Sequence, residues 1–199
     1  MPICKQYSGK RRLWACAAAL GALSVWAANA DAGASVALGA QSPQQVAQGT
    51  LLQAVRDSTE RFKDVAVAES EGYHLAFGCV TGPDSGAMGL HYVNMNLVQM
   101  GTVDATRPQI VIYEPTANGG LKLIGADFLV LADPWDRAHP GAGAPQLMGQ
   151  LYHYFESPNR FGLPAFYTLH VWAWKDNPNG AFVNWHPSVS CQSYAGQNQ

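Results

Sequence analysis

Glu71-Gly72-Tyr73-His74-Leu75-Ala76-Phe77-Gly78-Cys79-Val80 marks the point where the hydrophobic period of the chain changes. Upstream of Gly72, Leu51, Val55, Phe62, Val65 and Ala66 recur at helical spacing. Asp57, Glu60, Arg61 and Lys63 fall on the opposite side. Ser42-Pro43-Gln44-Gln45 supplies an N-cap, a proline at N1 and a capping-box glutamine. Gly72 suits the position just past a helix end. The spacing predicts one amphipathic helix over 43–71, weakened near Gly49 and resumed from Thr50. Downstream of Tyr73, short runs rich in aromatic and β-branched residues alternate with Gly, Pro, Asn and Asp. Strands are predicted near 74–80, 88–95, 109–114, 121–131, 149–156 and 165–174. Gly82-Pro83-Asp84-Ser85-Gly86 and Asn177-Pro178-Asn179-Gly180 are turn sequences. Asp133 to Pro145, with three prolines and two glycines, reads as a long loop without regular structure.

The expected fold is therefore α+β. One long N-terminal amphipathic helix packs on a twisted, mostly antiparallel sheet. A small β-barrel with an N-terminal helix is the alternative. Residues 42–199 form a single domain, with no internal repeat.

The beginning of the chain carries Lys5, Lys10, Arg11 and Arg12 and no acid. An apolar run from Leu13 to Ala28 follows and ends in Ala28-Asn29-Ala30. That is the anatomy of a cleavable signal peptide over 1–30, followed by a flexible tail over 31–41. Arg11-Arg12 before Leu13-Trp14 is compatible with either general or twin-arginine export. The expected location is secreted or periplasmic, with no stable membrane anchor after cleavage. Removing the leader leaves eight basic residues against fourteen acidic ones, a net charge of −6 with histidine neutral. Such a surface argues against a nucleic-acid partner, which calls for basic stripes. Cys4 and Cys16 leave with the leader, and Cys79 and Cys191 remain. An even pair in an oxidising compartment predicts a disulfide.

Motifs for phosphate, dinucleotide, zinc-protease or serine-hydrolase chemistry are absent from the sequence. What stands out is polar residues in apolar company. Side chains two apart on a strand share a face. By that rule His91 lies with Val93, Glu114 with Ile110 and Ile112, and His170 with Phe166, Trp172 and Trp174. A buried carboxylate has to be paired, protonated or bound to a cation. Two imidazoles and a carboxylate make a ligand set for a divalent transition metal. His91, Glu114 and His170 are the expected ligands, with His153 as a further member. His186 is placed to close the mouth of such a site, while His74 and His139 are expected in solvent. Of the many aromatics, Tyr92, Tyr113, Trp172 and Trp174 are candidates to line a pocket for an apolar or sugar-like small molecule. Trp135 sits in the long loop, where Asp133 and Asp136 lack the regular spacing of a calcium loop.

Gly86-Ala87-Met88-Gly89 with His91-Tyr92-Val93-Asn94, Tyr113-Glu114-Pro115, Leu169-His170-Val171-Trp172-Ala173-Trp174 and Asn177-Pro178-Asn179-Gly180 resemble strings in a group of secreted bacterial proteins of unassigned activity. The likeness spans nearly all of the mature chain. It implies a secreted single domain and transfers no catalytic role. Three functional expectations follow. The first is an exported domain with a His/Glu metal or small-molecule site. The second is a non-catalytic binding module with an aromatic-lined pocket. The third is an envelope interaction protein, whose polar residues would lie far apart.

Overall fold

A computed structural model describes residues 41–196. The expected leader, residues 1–30, and all but Gln41 of the expected tail lie outside the described residues. The Ser42 hydroxyl accepts from Gln45 N and the Gln45 side chain accepts from Ser42 N, which closes the capping box. Helix α1 then runs Pro43–Thr59. The single helix expected over 43–71 is divided after it. Glu60–Lys63 is a 3-10 turn, and α2 (Val65–Ser70) starts afresh because the Asp64 carboxylate accepts from Ala66 N. An aspartate offers the backbone this alternative to continuing a helix.

Strands β1 (His74–Gly82), β2 (Gly86–Val93), β3 (Ile110–Pro115), β4 (Leu121–Leu131), β7 (His153–Phe155) and β8 (Phe166–Val171) form one sheet. Their order is β1-β2-β3-β4-β8-β7, and every neighbouring pair is antiparallel. β5 (Gln146–Leu147) and β6 (Gln150–Leu151) make a separate hairpin. The sheet curls into an open half-barrel, so the α+β class holds and the barrel does not close. Glycines permit the curl. A Cβ at Gly89 would lie 2.6 Å from Tyr113 O, and one at Gly125 2.6 Å from Val171 O.

Leu51 and Val55 of α1 pack on Ala126, Phe128, Leu169 and Val171, one face of β4 and β8. Burying each of these helix side chains is worth about 1.5–3 kcal/mol. Arg56 Nε donates to Ala173 O at 2.6 Å and Trp174 Nε1 to Thr59 Oγ1 at 3.0 Å, which ties the helix to the segment that follows β8. The other face of the sheet carries the site described below.

Two short helices were not legible as such. α3 (Met95–Met100) is capped by the Asn94 side chain, which accepts from Leu97 N, and ends at Gly101 with φ 62°. α4 (Ala132–Ala138) occupies the first half of the stretch expected to be irregular. Pro134 lies in its first turn, where amides have no intrahelical partner, so the proline does not oppose the helix. Cys79 on β1 and Cys191 form the expected disulfide, closing a sequence separation of 112 residues. Among the described residues no helix is long and apolar enough to cross a membrane.

Candidate metal centre

Antiparallel partners in register point to the same side of a sheet. His91 on β2 lies opposite Ile112 on β3. Two residues away, Ile110 lies opposite Asp127 on β4, and Asp127 lies opposite His170 on β8. Three strands, β2, β4 and β8, therefore deliver His91, Asp127 and His170 across β3 to one patch on the face away from α1. All three are buried, each at most 4% exposed. One ligating atom from each lies within 4.8 Å of those from the others.

The hydrogen bonds orient the group. His91 Nδ1 lies 3.2 Å from Gly89 O, an acceptor only, so the proton of that imidazole sits on Nδ1. Its Nε2 presents a lone pair, 3.4 Å from Nε2 of His170. Asp127 Oδ1 accepts from Thr168 Oγ1 at 2.5 Å. Asp127 Oδ2 lies 3.4 Å from His170 Nδ1, yet the alignment is poor and Nδ1 has no hydrogen-bond partner among the described residues. Two neutral imidazoles whose lone pairs face each other repel. The pair is satisfied by a proton between the two Nε2 atoms or by a cation.

Burial sets the charges. It pushes His91 down to about 4, helped by the neighbouring His170 imidazole. It pushes His170 down to about 3, helped by His153. It lifts the Asp127 carboxyl to about 6 against the opposing hydrogen bond from Thr168. At neutral pH both imidazoles are neutral and the carboxylate is charged, the protonation pattern a divalent metal requires.

The remaining expected residues are placed differently. Glu114 is outside this cluster. Both its oxygens bind Lys175 Nζ, at 2.9 and 2.7 Å, and Ser190 N donates to Oε1 at 3.2 Å. Its alternation with Ile110 and Ile112 suggested a shared site, but it pairs with Lys122 at the far end of β3, beyond a register shift. His153 is exposed on the edge strand β7, opposite Thr168. It lines an open pocket of about 490 Å³ with Trp185, Asn179 and Asn184. His186 is buried and fully engaged: Nε2 lies 3.0 Å from Asp176 O, and Nδ1 accepts from Ser188 N at 3.2 Å. His74 and His139 are exposed, as expected, and His139 stacks on Trp135.

Tyr92, Tyr113 and Trp172 are buried in the core, and Trp174 is partly buried against it. Tyr113 donates to Phe62 O at 2.6 Å and meets Tyr92 edge to face. Trp172 donates to Val183 O at 2.6 Å, and Lys63 Nζ sits 4.0 Å over the Trp174 ring.

Asp127 is the member that residue alternation did not single out. Its signal was in the sequence: it is the one acid in the apolar run Leu123-Ile124-Gly125-Ala126-Asp127-Phe128-Leu129-Val130-Leu131. A carboxylate in the middle of a strand buried on both faces needs a partner. A small void of about 20 Å³ adjoins His91, walled by Phe77, Phe161 and Phe166 among others. In comparisons with family models, curated proteins and solved structures, nothing matches the chain.

Proposed function

We propose that this is an exported domain that binds one divalent transition metal through Nε2 of His91 and Nε2 of His170, with Asp127 orienting His170 from its Nδ1 side. The observation that carries the reading is the 3.4 Å separation of the two Nε2 atoms. Two imidazoles on a tetrahedral ion, with bonds of about 2.0–2.1 Å, place their nitrogens roughly 3.3–3.4 Å apart. The other nitrogen of His91 meets Gly89 O, and the Asp127 carboxylate lies 3.4 Å from Nδ1 of His170, where a small turn of the ring would complete the hydrogen bond. This is the second layer that fixes tautomer and ring orientation in histidine metal sites. Imidazole and carboxylate donors suit zinc, copper, nickel or iron. With two imidazoles bound, a tetrahedral ion keeps positions for other ligands.

The disulfide between Cys79 and Cys191 is compatible with an oxidising compartment. The test is a titration of metal-free protein with cobalt(II), read by its visible absorption. One equivalent bound with a nitrogen-rich spectrum is expected. A protein that stays colourless at millimolar cobalt and also takes up no zinc contradicts the proposal.

A second reading has its own observation. The open pocket of about 490 Å³ gathers Asp84, Asn179, Asn184, His153 and Trp185. Asn184 Oδ1 is buried there without a hydrogen-bond partner among the described residues. A sugar-like ligand, with hydroxyls for the amides and a face for the indole, would suit those groups. Quenching of tryptophan fluorescence by a panel of neutral sugars, lost in Trp185→Ala, would favour this reading.

A further inference from the structure

The void against His91 adjoins a second cavity: Phe77, Ile110, Leu129 and Leu163 wall both. The inner void, about 20 Å³, is just large enough for one water-sized group. The outer cavity, about 160 Å³, is closed by Val93, Val98, Leu131 and Pro164, with Gln99 as its polar wall and Met95 beside it. Met95 is 48% exposed, so the cavity reaches solvent past a flexible side chain. Apolar cavities of about this size hold a benzene-sized guest.

The shared wall is built at the expense of regular geometry. Phe77 is a non-glycine residue at φ 67°, inside the irregularity of β1 between Ala76 and Cys79. Bulges of this kind re-aim side chains, and left-handed backbone at a bulky residue persists only where packing holds it. Here the Phe77 ring packs edge-on against Phe161, with centroids 5.3 Å apart. Both rings line the void that touches His91.

We infer that the free position of the metal faces this chamber and takes a small organic ligand with a metal-coordinating polar head and an apolar tail no larger than about a benzene ring. The inference rests on the metal reading above. A charged or polyhydroxylated tail would find almost no hydrogen-bonding partner on these walls.

The test has two arms. In the first, metal-free protein is titrated with toluene and followed by NMR, which reads the chamber alone. In the second, cobalt-loaded protein is titrated with acetohydroxamate, benzohydroxamate and a straight-chain series from propano- to hexanohydroxamate, followed by the cobalt absorption. The expected result is saturable toluene binding, and hydroxamate affinity that rises about fourfold per methylene until the chamber is full. Val98→Phe and Leu131→Phe, which line the outer cavity alone, should each abolish toluene binding and the rise with tail length, yet leave acetohydroxamate affinity within twofold. Leu131 is only half-buried, so its variant guards against failure of Val98→Phe to fold. Cobalt uptake with no toluene binding and no dependence on tail length overturns the inference and leaves the metal site standing. Toluene binding without cobalt uptake overturns the metal reading, and the coordinating head with it.

Discussion

Replacing Asp127 by asparagine should make the metal-free protein more stable and the metal site weaker. The carboxyl is lifted by burial from its ordinary 3.8 to about 6. A raised acid favours the protonated form in the folded state, so the folded chain holds the extra proton between those values. Stability on this account rises as pH falls through 6, and above pH 6 the buried charge is destabilising by about 3 kcal/mol. An amide is uncharged at all pH and can still accept the Thr168 hydroxyl on its oxygen. A gain of about 1–3 kcal/mol at pH 7.5 is expected, shrinking toward zero near pH 4.5. The same amide would turn its N–H toward His170 Nδ1, 3.4 Å from the present carboxylate oxygen. The His170 proton then moves to Nε2, the nitrogen that has to bind the metal. Loss of an orienting carboxylate of this kind costs about 10–100-fold in affinity. Guanidinium unfolding of the metal-free protein at both pH values reads the first effect, and competition with a chromophoric chelator reads the second. A variant less stable at pH 7.5 with unchanged metal affinity would show that Asp127 is a structural residue, and would refute this reasoning.

Three further outcomes are expected. Cys79→Ala with Cys191→Ala should cost about 5 kcal/mol in guanidinium unfolding, because the bridge closes a 112-residue separation; a loss under about 1 kcal/mol would contradict the chain-entropy account. The metal-free protein should lose stability as pH falls from about 6 to 4.5: His91 and His170, depressed from 6.5 to about 4 and 3, stabilise fully above 6.5 and lose that contribution on acidification, while Asp127 opposes them between 6 and 3.8. Two imidazoles against one carboxyl leave a net slope of about 1.4 kcal/mol per pH unit near pH 5, and a double His91→Gln, His170→Gln variant that keeps the full slope would contradict its assignment. Glu114→Gln should leave metal affinity within twofold while lowering stability through the loss of the partly buried Lys175 pair; a large fall in affinity would return Glu114 to the site.

The local elements were legible where a short period repeats. Ser42-Pro43-Gln44-Gln45 and the alternating runs around His91 and His170 carry their own geometry, because capping and pleat act over a few residues. The disulfide was legible from the parity of the cysteines and the compartment expected for them. α4 was not, because Pro134 reads as a breaker unless its place in the first turn is known. The site divided in the same way. His91 and His170 stood out as lone imidazoles on apolar faces, and they do meet. Their carboxylate depends on register: Asp127 is opposite His170 across 43 residues, whereas Glu114 is drawn to Lys175, 61 residues away. No local pattern encodes either separation.

The central claim is tested most directly by the metal content of the untagged protein, produced with export to a bacterial periplasm and analysed by mass spectrometry beside His91→Ala and His170→Ala. Close to one equivalent of a transition metal in the wild type, lost in both variants while each stays folded by circular dichroism, is the expected result. A well-folded wild type that carries none, and remains empty after incubation with zinc, copper, nickel and iron, would contradict it.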